Sequence, residues 1–148
     1  MTDLRQTIED ERLTRLLDYW ESRRAGRIMP ARTDIDPVDI AWLLGHVLLI
    51  DVQRDPQRFR FRLVGTKTPR RHNVDFTGMW VDEIPFPEAA RTLVASYRDL
   101  VALARPARVV RNEVLDGHRI RWETIVLPLA ADGETVDMLL IAVIERPG

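Results

Sequence analysis

The sequence contains no cysteine, so it can form no disulfide, no zinc–thiolate site and no thiol-linked cofactor. It has no apolar run near the roughly 18 residues of a membrane helix, and its charged N-terminus, MTDLRQTIEDERL, lacks the apolar core of a signal peptide. Net charge is also small, with 22 basic and 23 acidic side chains. These absences predict a cytoplasmic protein that no overall field draws to nucleic acid or to a membrane.

Groups for catalysis are equally scarce. The only two serines, Ser22 and Ser96, fall in predicted helices, and neither lies in a Gly-x-Ser-x-Gly turn. The three histidines, His46, His72 and His118, lack the i, i+4 spacing of a helical metal site. No glycine-rich phosphate loop is present. We therefore predict that the chain is not an enzyme and holds no metal.

What the chain does contain is enough apolar side chain, 45% of 148 residues, for one substantial core. Apolar residues at steps of three and four between positions 8 and 24 predict an amphipathic helix that stops near Gly26. Asp36 and Pro37 then suit the cap and first position of a short helix over 37–44. We expect an N-terminal extension over 1–36 and the main domain over 37–148.

Two strand patterns follow. The run HVLLIDV at 46–52 predicts a largely buried strand. The next strand alternates apolar and basic residues, which predicts that Phe59, Phe61 and Leu63 share one face while Arg58, Arg60 and Arg62 share the other. Irregular spacing over 65–87 fits only short turns, and helical periodicity returns over 88–104.

The last forty residues form the clearest pattern. Two Asp-Gly pairs, at 116–117 and 132–133, separate predicted strands over 107–115, 119–129 and 135–145. Two strand units on either side of a helical crossover predict an α+β fold, with a five-stranded antiparallel sheet, helices on one face and an N-terminal helical extension.

Four stretches match a known family: LLDYWESRRAGRIMPARTDIDP (16–37), RFRFRLVGT (58–66), VDFTG (74–78) and IVLPLAADG (125–133). On these stretches the chain resembles the PAS family first described as an alphaproteobacterial domain of unknown function, from about residue 12 to residue 145. The resemblance implies a sensory fold without a defined ligand or reaction. Asn73 stands where the family is expected to have glycine, and asparagine is the next best residue for a left-handed turn.

In a PAS-like fold the pocket lies between the inner sheet face and the crossover helices. The candidate lining residues share an apolar or aromatic side chain at a predicted inward position: Phe59, Phe61, Leu63, Tyr97, Trp122 and Met138. The same residues could instead fill a core without any ligand. Since cysteine is absent and the predicted helix over 88–104 has no histidine for haem, we expect no cofactor.

Positive charge is concentrated at residues 54–72, with one acidic residue, Asp55, against seven basic ones: Arg54, Arg58, Arg60, Arg62, Lys67, Arg70 and Arg71. The arginines of the second strand, Arg58, Arg60 and Arg62, are therefore candidates for binding a partner protein or an anion. The alternative is a solvated sheet face on which Glu123, Asp137 or Glu113 pairs with them.

The apolar stripe of the first predicted helix consists of Leu13, Leu16, Leu17 and Trp20. It could cover the domain's own sheet or pair with a second copy, and we expect it to do both, giving a homodimer. We favour a sensory or signalling module that binds a small non-covalent metabolite and acts on an unknown partner protein. The alternative is a ligand-free module for protein interaction and dimerisation.

Overall fold

The computed structural model describes residues 3–69 and 74–147, so the prediction for Asn73, and those for Arg70, Arg71 and His72, lie outside the described residues. The helices are α1 (Leu4–Thr7), α2 (Glu11–Arg23) and α3 (Pro87–Leu103). The strands are β1 (Val47–Gln53), β2 (Arg58–Val64), β3 (Ala107–Leu115), β4 (His118–Leu129) and β5 (Met138–Pro147).

The five strands form one antiparallel sheet in the order β2-β1-β5-β4-β3. The first two strands form a hairpin, and so do β3 and β4, whose turn holds Asp116 and Gly117 at φ of 50° and 78°. The chain crosses between the two units through α3, and β5 returns to the centre of the sheet beside β1. The α+β fold with a helical crossover is confirmed.

The helix predicted over 8–24 begins three residues later than predicted, at Glu11, and a separate short helix precedes it. A short α1 ends at Thr7, and α2 begins after Asp10, whose carboxylate accepts the N–H of Arg12 at 2.9 Å as an N-cap. The helix ends before Ala25 and Gly26, which both have positive φ. Its apolar stripe of Leu13, Leu16, Leu17 and Trp20 is at most 2% exposed, so α2 covers its own sheet, as predicted.

Two predicted boundaries are wrong for local hydrogen-bonding reasons. Residues 37–44 form successive turns instead of an α-helix, because their backbone bonds run from N–H to the carbonyl three residues earlier, as from Ile40 to Pro37. The last strand starts at Met138 instead of residue 135. Asp132 accepts the N–H groups of Glu134 and Thr135, which holds that stretch in a turn.

The predicted common direction of Phe59, Phe61 and Leu63 is also wrong. The β1–β2 register shifts between Leu49 and Ile50, so that Phe61 lies opposite Ile50 but Leu63 lies opposite Leu49. A bulge of this kind moves the following side chain to the other face of the sheet. We call the face under α3 the inner face and the face under α2 the outer face.

Met138 is likewise not on the inner face. It lies opposite Asp51 of β1 and Leu129 of β4, in the outward alternation of both neighbours. One hydrophobic core joins α2, the 29–43 segment, both sheet faces and α3. The division of the chain at residue 36 stays a prediction. In the described ranges no helix is long and apolar enough to cross a membrane.

Candidate ligand site and interaction surfaces

Aromatic rings fill the inner face near β2. Phe59 meets Tyr97 of α3 edge to face, with ring centroids 5.6 Å apart. Phe61 packs against Phe76 at 5.5 Å, and Phe76 packs against Phe86 at 6.0 Å. Such pairs stabilise a fold beyond their buried area. This part of the predicted pocket is therefore occupied by the protein's own side chains.

Trp122 lies on β4, on the part of the inner face away from β2. By strand alternation it shares that face with Phe61, and its side chain is only 8% exposed. Its indole Nε1 is buried and has no hydrogen-bond partner within the described residues. Trp20 and Trp42, by contrast, donate to the carbonyls of Pro128 and Asp39, both at 2.9 Å. Trp122 therefore has a buried donor available to an acceptor.

Tyr97 adds a second polar tip to the inner face. It is 5% exposed, and burial raises the pKa of its hydroxyl above the ordinary range, against a smaller opposite effect of Arg111. The hydroxyl therefore stays protonated at neutral pH. Since α3 contacts both β2 and β4, the fold brings Tyr97, Phe59, Phe61 and Trp122 to one face. It does not bring Leu63 or Met138 there.

Leu63 and Met138 instead line a groove of about 540 Å³ on the outer face. The other lining residues are Arg32, Thr33, Leu49 and Arg62. A narrower recess of about 130 Å³ continues beneath the 35–44 segment and shares Arg32, Leu49 and Leu63 with the groove. Sequence reasoning missed Arg32, Thr33 and Leu49 here. The β1–β2 register shift that brings Leu63 beside Leu49 leaves no signal in the alternation of β2.

The arginines of β2 have partners that differ from the predicted ones. Arg58 makes two hydrogen bonds to Asp82, at 2.8 and 2.9 Å, and its guanidinium lies 4.1 Å from the Trp80 ring centroid. Arg60 donates to the carbonyl of Gly78 at 3.1 Å. Arg62 donates to Asp51 at 2.9 Å, yet its side chain is 65% exposed. The positive charge of the three β2 arginines is thus partly neutralised by nearby loop and strand residues.

The carboxylates predicted to pair with these arginines act elsewhere. Glu123 of β4 is fully buried and accepts the backbone N–H groups of Glu9 and Asp10, both at 2.8 Å, as well as Arg108 Nε at 2.7 Å. Asp137 accepts the N–H of Ala131. Glu123 therefore anchors the start of α2 to the sheet. In 3–69 and 74–147 no three His, Asp or Glu side chains are grouped to hold a metal ion.

These features define an α+β domain in which one antiparallel sheet lies between an N-terminal helix and a crossover helix. A family model described as PAS domain matches residues 8–143, which is most of the chain. The chain belongs to the PAS domain family. The family resemblance predicted from the sequence is confirmed.

One solved structure agrees with this fold. The chain is similar to a sensory box sensor histidine kinase from Vibrio cholerae, at 17% identity and a TM-score of 0.50, over 75% of this chain and 91% of that one. It is also similar to a LOV protein from Rhodobacter sphaeroides, at 14% identity and a TM-score of 0.41, over 75% and 68%. The first likeness shows the fold alone, and the second is too distant to carry an argument. No match was found among curated proteins.

Proposed function

We propose that the chain is a non-enzymatic sensory or signalling domain that binds a small, largely apolar metabolite on its inner face and acts on a partner protein. The observation that supports this proposal is the indole N–H of Trp122, which is buried on that face and has no hydrogen-bond partner among the described residues. A buried donor without a partner costs about 1–3 kcal/mol, so a ligand that supplies an acceptor would bind with a matching gain.

The surroundings define the kind of ligand. Phe59 and Phe61 provide apolar walls, and the protonated Tyr97 hydroxyl provides a second hydrogen-bonding group. A ligand that wedges between Trp122 and α3 would displace the helix, because a packed interior cannot absorb extra volume without a shift. Movement of α3 is then the change that a partner protein would detect.

The proposal can be tested with the four tryptophans as internal reporters. The protein labelled with 5-fluorotryptophan is screened against a metabolite library by thermal shift, and compounds that stabilise it are followed by fluorine NMR. We expect such a compound to shift the Trp122 resonance, and Trp122→Phe to weaken its binding. Trp42→Phe is the matched control, because the Trp42 indole already has a partner. A library without any stabilising compound, or a ligand that leaves the Trp122 signal unchanged, contradicts the proposal.

A second candidate function is a ligand-free interaction and dimerisation module. The aromatic packing of Phe59 with Tyr97 and of Phe61 with Phe76 favours it, since these rings leave that side of the inner face filled. The partner would bind the arginines of β2. The Arg62 side chain is 65% exposed, compared with 31% for Arg58. A homodimer through the α2 stripe would require that stripe to leave its own sheet.

This candidate predicts that charge reversal on β2 abolishes a pull-down partner. The variant is Arg58→Glu, Arg60→Glu and Arg62→Glu together. The control reverses three exposed arginines on and after α3, at positions 91, 98 and 105. Loss of the same partner from both variants, or from neither, argues against binding through β2. Light scattering of the unchanged protein measures separately whether it is a dimer.

A further inference from the structure

We propose that the outer-face groove binds an amphiphile with a carboxylate head and an unbranched apolar tail. The head would lie between the guanidinium groups of Arg32 and Arg62, which line the groove of about 540 Å³. The tail would pass over Leu49 and Leu63 into the adjoining recess. This site shares no residue with the inner-face proposal, so either can fail without the other.

The head position follows from charge and donor geometry. Arg32 donates from one terminal nitrogen to the carbonyl of Ile35 at 2.8 Å, and Arg62 donates from Nε to Asp51 at 2.9 Å. A guanidinium carries five N–H donors, so in the described part of the chain each arginine keeps donors on its other nitrogens. Among the described residues that line the groove the charged ones are Arg32 and Arg62, and Asp51 offsets only one of them, so the mouth of the groove is positive. A carboxylate fits it in charge and in hydrogen bonding.

The tail position follows from the apolar lining beyond the two arginines. Leu49, Leu63 and Met138 form the floor of the groove. The recess of about 130 Å³ is then lined almost wholly by aliphatic side chains: Ile35, Pro37, Ile40, Leu44, Val47 and Leu140. Its size admits the end of a single alkyl chain and is too small for a peptide. The larger groove falls within the volume range of small-molecule sites.

Tail length and head charge should therefore both affect affinity. Each methylene that leaves water strengthens binding by up to roughly fourfold. We expect dodecanoate to bind more tightly than octanoate by a factor of ten or more. Acetate has no tail and dodecanol has no charge, so both should bind at least tenfold more weakly than dodecanoate.

The experiment uses the full chain labelled at leucine and methionine methyl groups and titrated with dodecanoate below its micelle concentration. We expect saturable shifts at Leu63 and Met138. Arg62→Ala should weaken dodecanoate binding at least fivefold without unfolding the chain, because the Arg62 side chain is 65% exposed. Leu63→Trp, which fills the mouth of the recess, is the second variant and should abolish binding. Arg98→Ala, on the exposed side of α3, is the control and should bind dodecanoate unchanged.

Three kinds of result would overturn this assignment. The first is the absence of saturable shifts at Leu63 and Met138. The second is equal binding of dodecanol, or unchanged dodecanoate binding in Arg62→Ala, which removes the role of the arginines. The third is a dodecanoate response at the fluorinated Trp122 without one in the groove, which places the ligand on the inner face instead.

Discussion

The two halves of the outer sheet face differ in what covers them. Over β4, helix α2 buries its apolar stripe completely, and Trp20 donates to the carbonyl of Pro128 at 2.9 Å. Over β1 and β2, the 32–44 segment leaves a groove whose mouth holds Arg32 and Arg62. One half is thus closed by packing, while the other half remains accessible.

The charges of the two halves follow the same division. In the closed half Glu123 is fully buried and bonded to backbone N–H groups and to Arg108, so each of its oxygens has a structural partner. In the open half Arg62 is 65% exposed and its bond to Asp51 leaves other donors. Paired buried charge indicates a structural role, and accessible charge beside apolar surface indicates binding.

The largest expected effect concerns the closed half. Leu16→Ala removes a side chain that is 0% exposed between α2 and the sheet, and we expect it to lower the free energy of unfolding by about 3 kcal/mol. Urea unfolding followed by circular dichroism measures the change. Leu103→Ala is the control, because that side chain is 40% exposed at the end of α3 and should cost well under half as much.

The same variant tests whether α2 is a dimer surface. If α2 covers only its own sheet, Leu16→Ala lowers stability to the same extent at all protein concentrations. A loss of stability that grows as the protein is diluted would show instead that the stripe is shared between two copies. In that case the α2 stripe would be buried between two subunits, and the closed half would be closed only in the dimer.

The next effect concerns the carboxylate that anchors α2. Glu123→Gln keeps the shape but replaces one acceptor oxygen by an NH₂ group, so one of the N–H groups of Glu9 and Asp10 loses its acceptor. Arg108 loses one of its two charge partners and keeps the other, the carboxylate of Glu9. We expect a loss of about 2 kcal/mol, since a buried donor is left unpaired. Hydrogen exchange should become faster at residues 9 and 10.

Glu145→Gln provides the matched control on β5, because that carboxylate is exposed. It should leave both stability and exchange near α2 unchanged. An equal loss of stability in Glu123→Gln and Glu145→Gln would mean that the buried position of Glu123 adds nothing to its contribution to stability. Dodecanoate binding should survive Glu123→Gln, since the groove lies on the other half of the face.

Much of this fold is predictable from local sequence. The strand at 107–115 and the Asp116-Gly117 turn follow from hairpin chemistry, and helix α3 follows from its apolar period to within one residue at each end. Each of these signals lies within the element itself. The prediction of a helix over 37–44 was wrong, although Asp36 does accept the N–H of Val38 as the predicted cap would.

The candidate sites were less predictable because they depend on pairing between distant segments. The β2 alternation alone places Leu63 with Phe61, and only the register against β1 moves it to the outer face. Glu123 is a further case, because the backbone N–H groups that it accepts, those of Glu9 and Asp10, lie more than 100 positions earlier in the chain. The sequence predicts Trp122 as an inward residue, but it does not show that the Trp122 N–H lacks a partner within residues 3–69 and 74–147.

The smallest expected effect depends on pH and concerns Asp10, the cap of α2. Its bonds to the side chain and the N–H of Arg12 lower the pKa of the carboxyl to about 2 from its ordinary 3.8, and Arg146 adds to this. Because the folded pKa is the lower one, this contribution is present above about pH 4 and is lost as the pH falls through 2. A shift of this size corresponds to about 2 kcal/mol.

Asp10→Asn should therefore lower stability by up to about 2 kcal/mol at pH 7, and the difference from the unchanged protein should shrink on acidification toward pH 2. Urea unfolding of both proteins at pH 7, 4 and 2.5 measures this convergence. Asp116→Asn, in the exposed β3–β4 turn, controls for the charge change alone. A difference in the free energy of unfolding between the two proteins that is the same at all three pH values would show that Asp10 stabilises α2 through hydrogen bonds that asparagine also disrupts. It would contradict a contribution from the charge of Asp10 to the closed half.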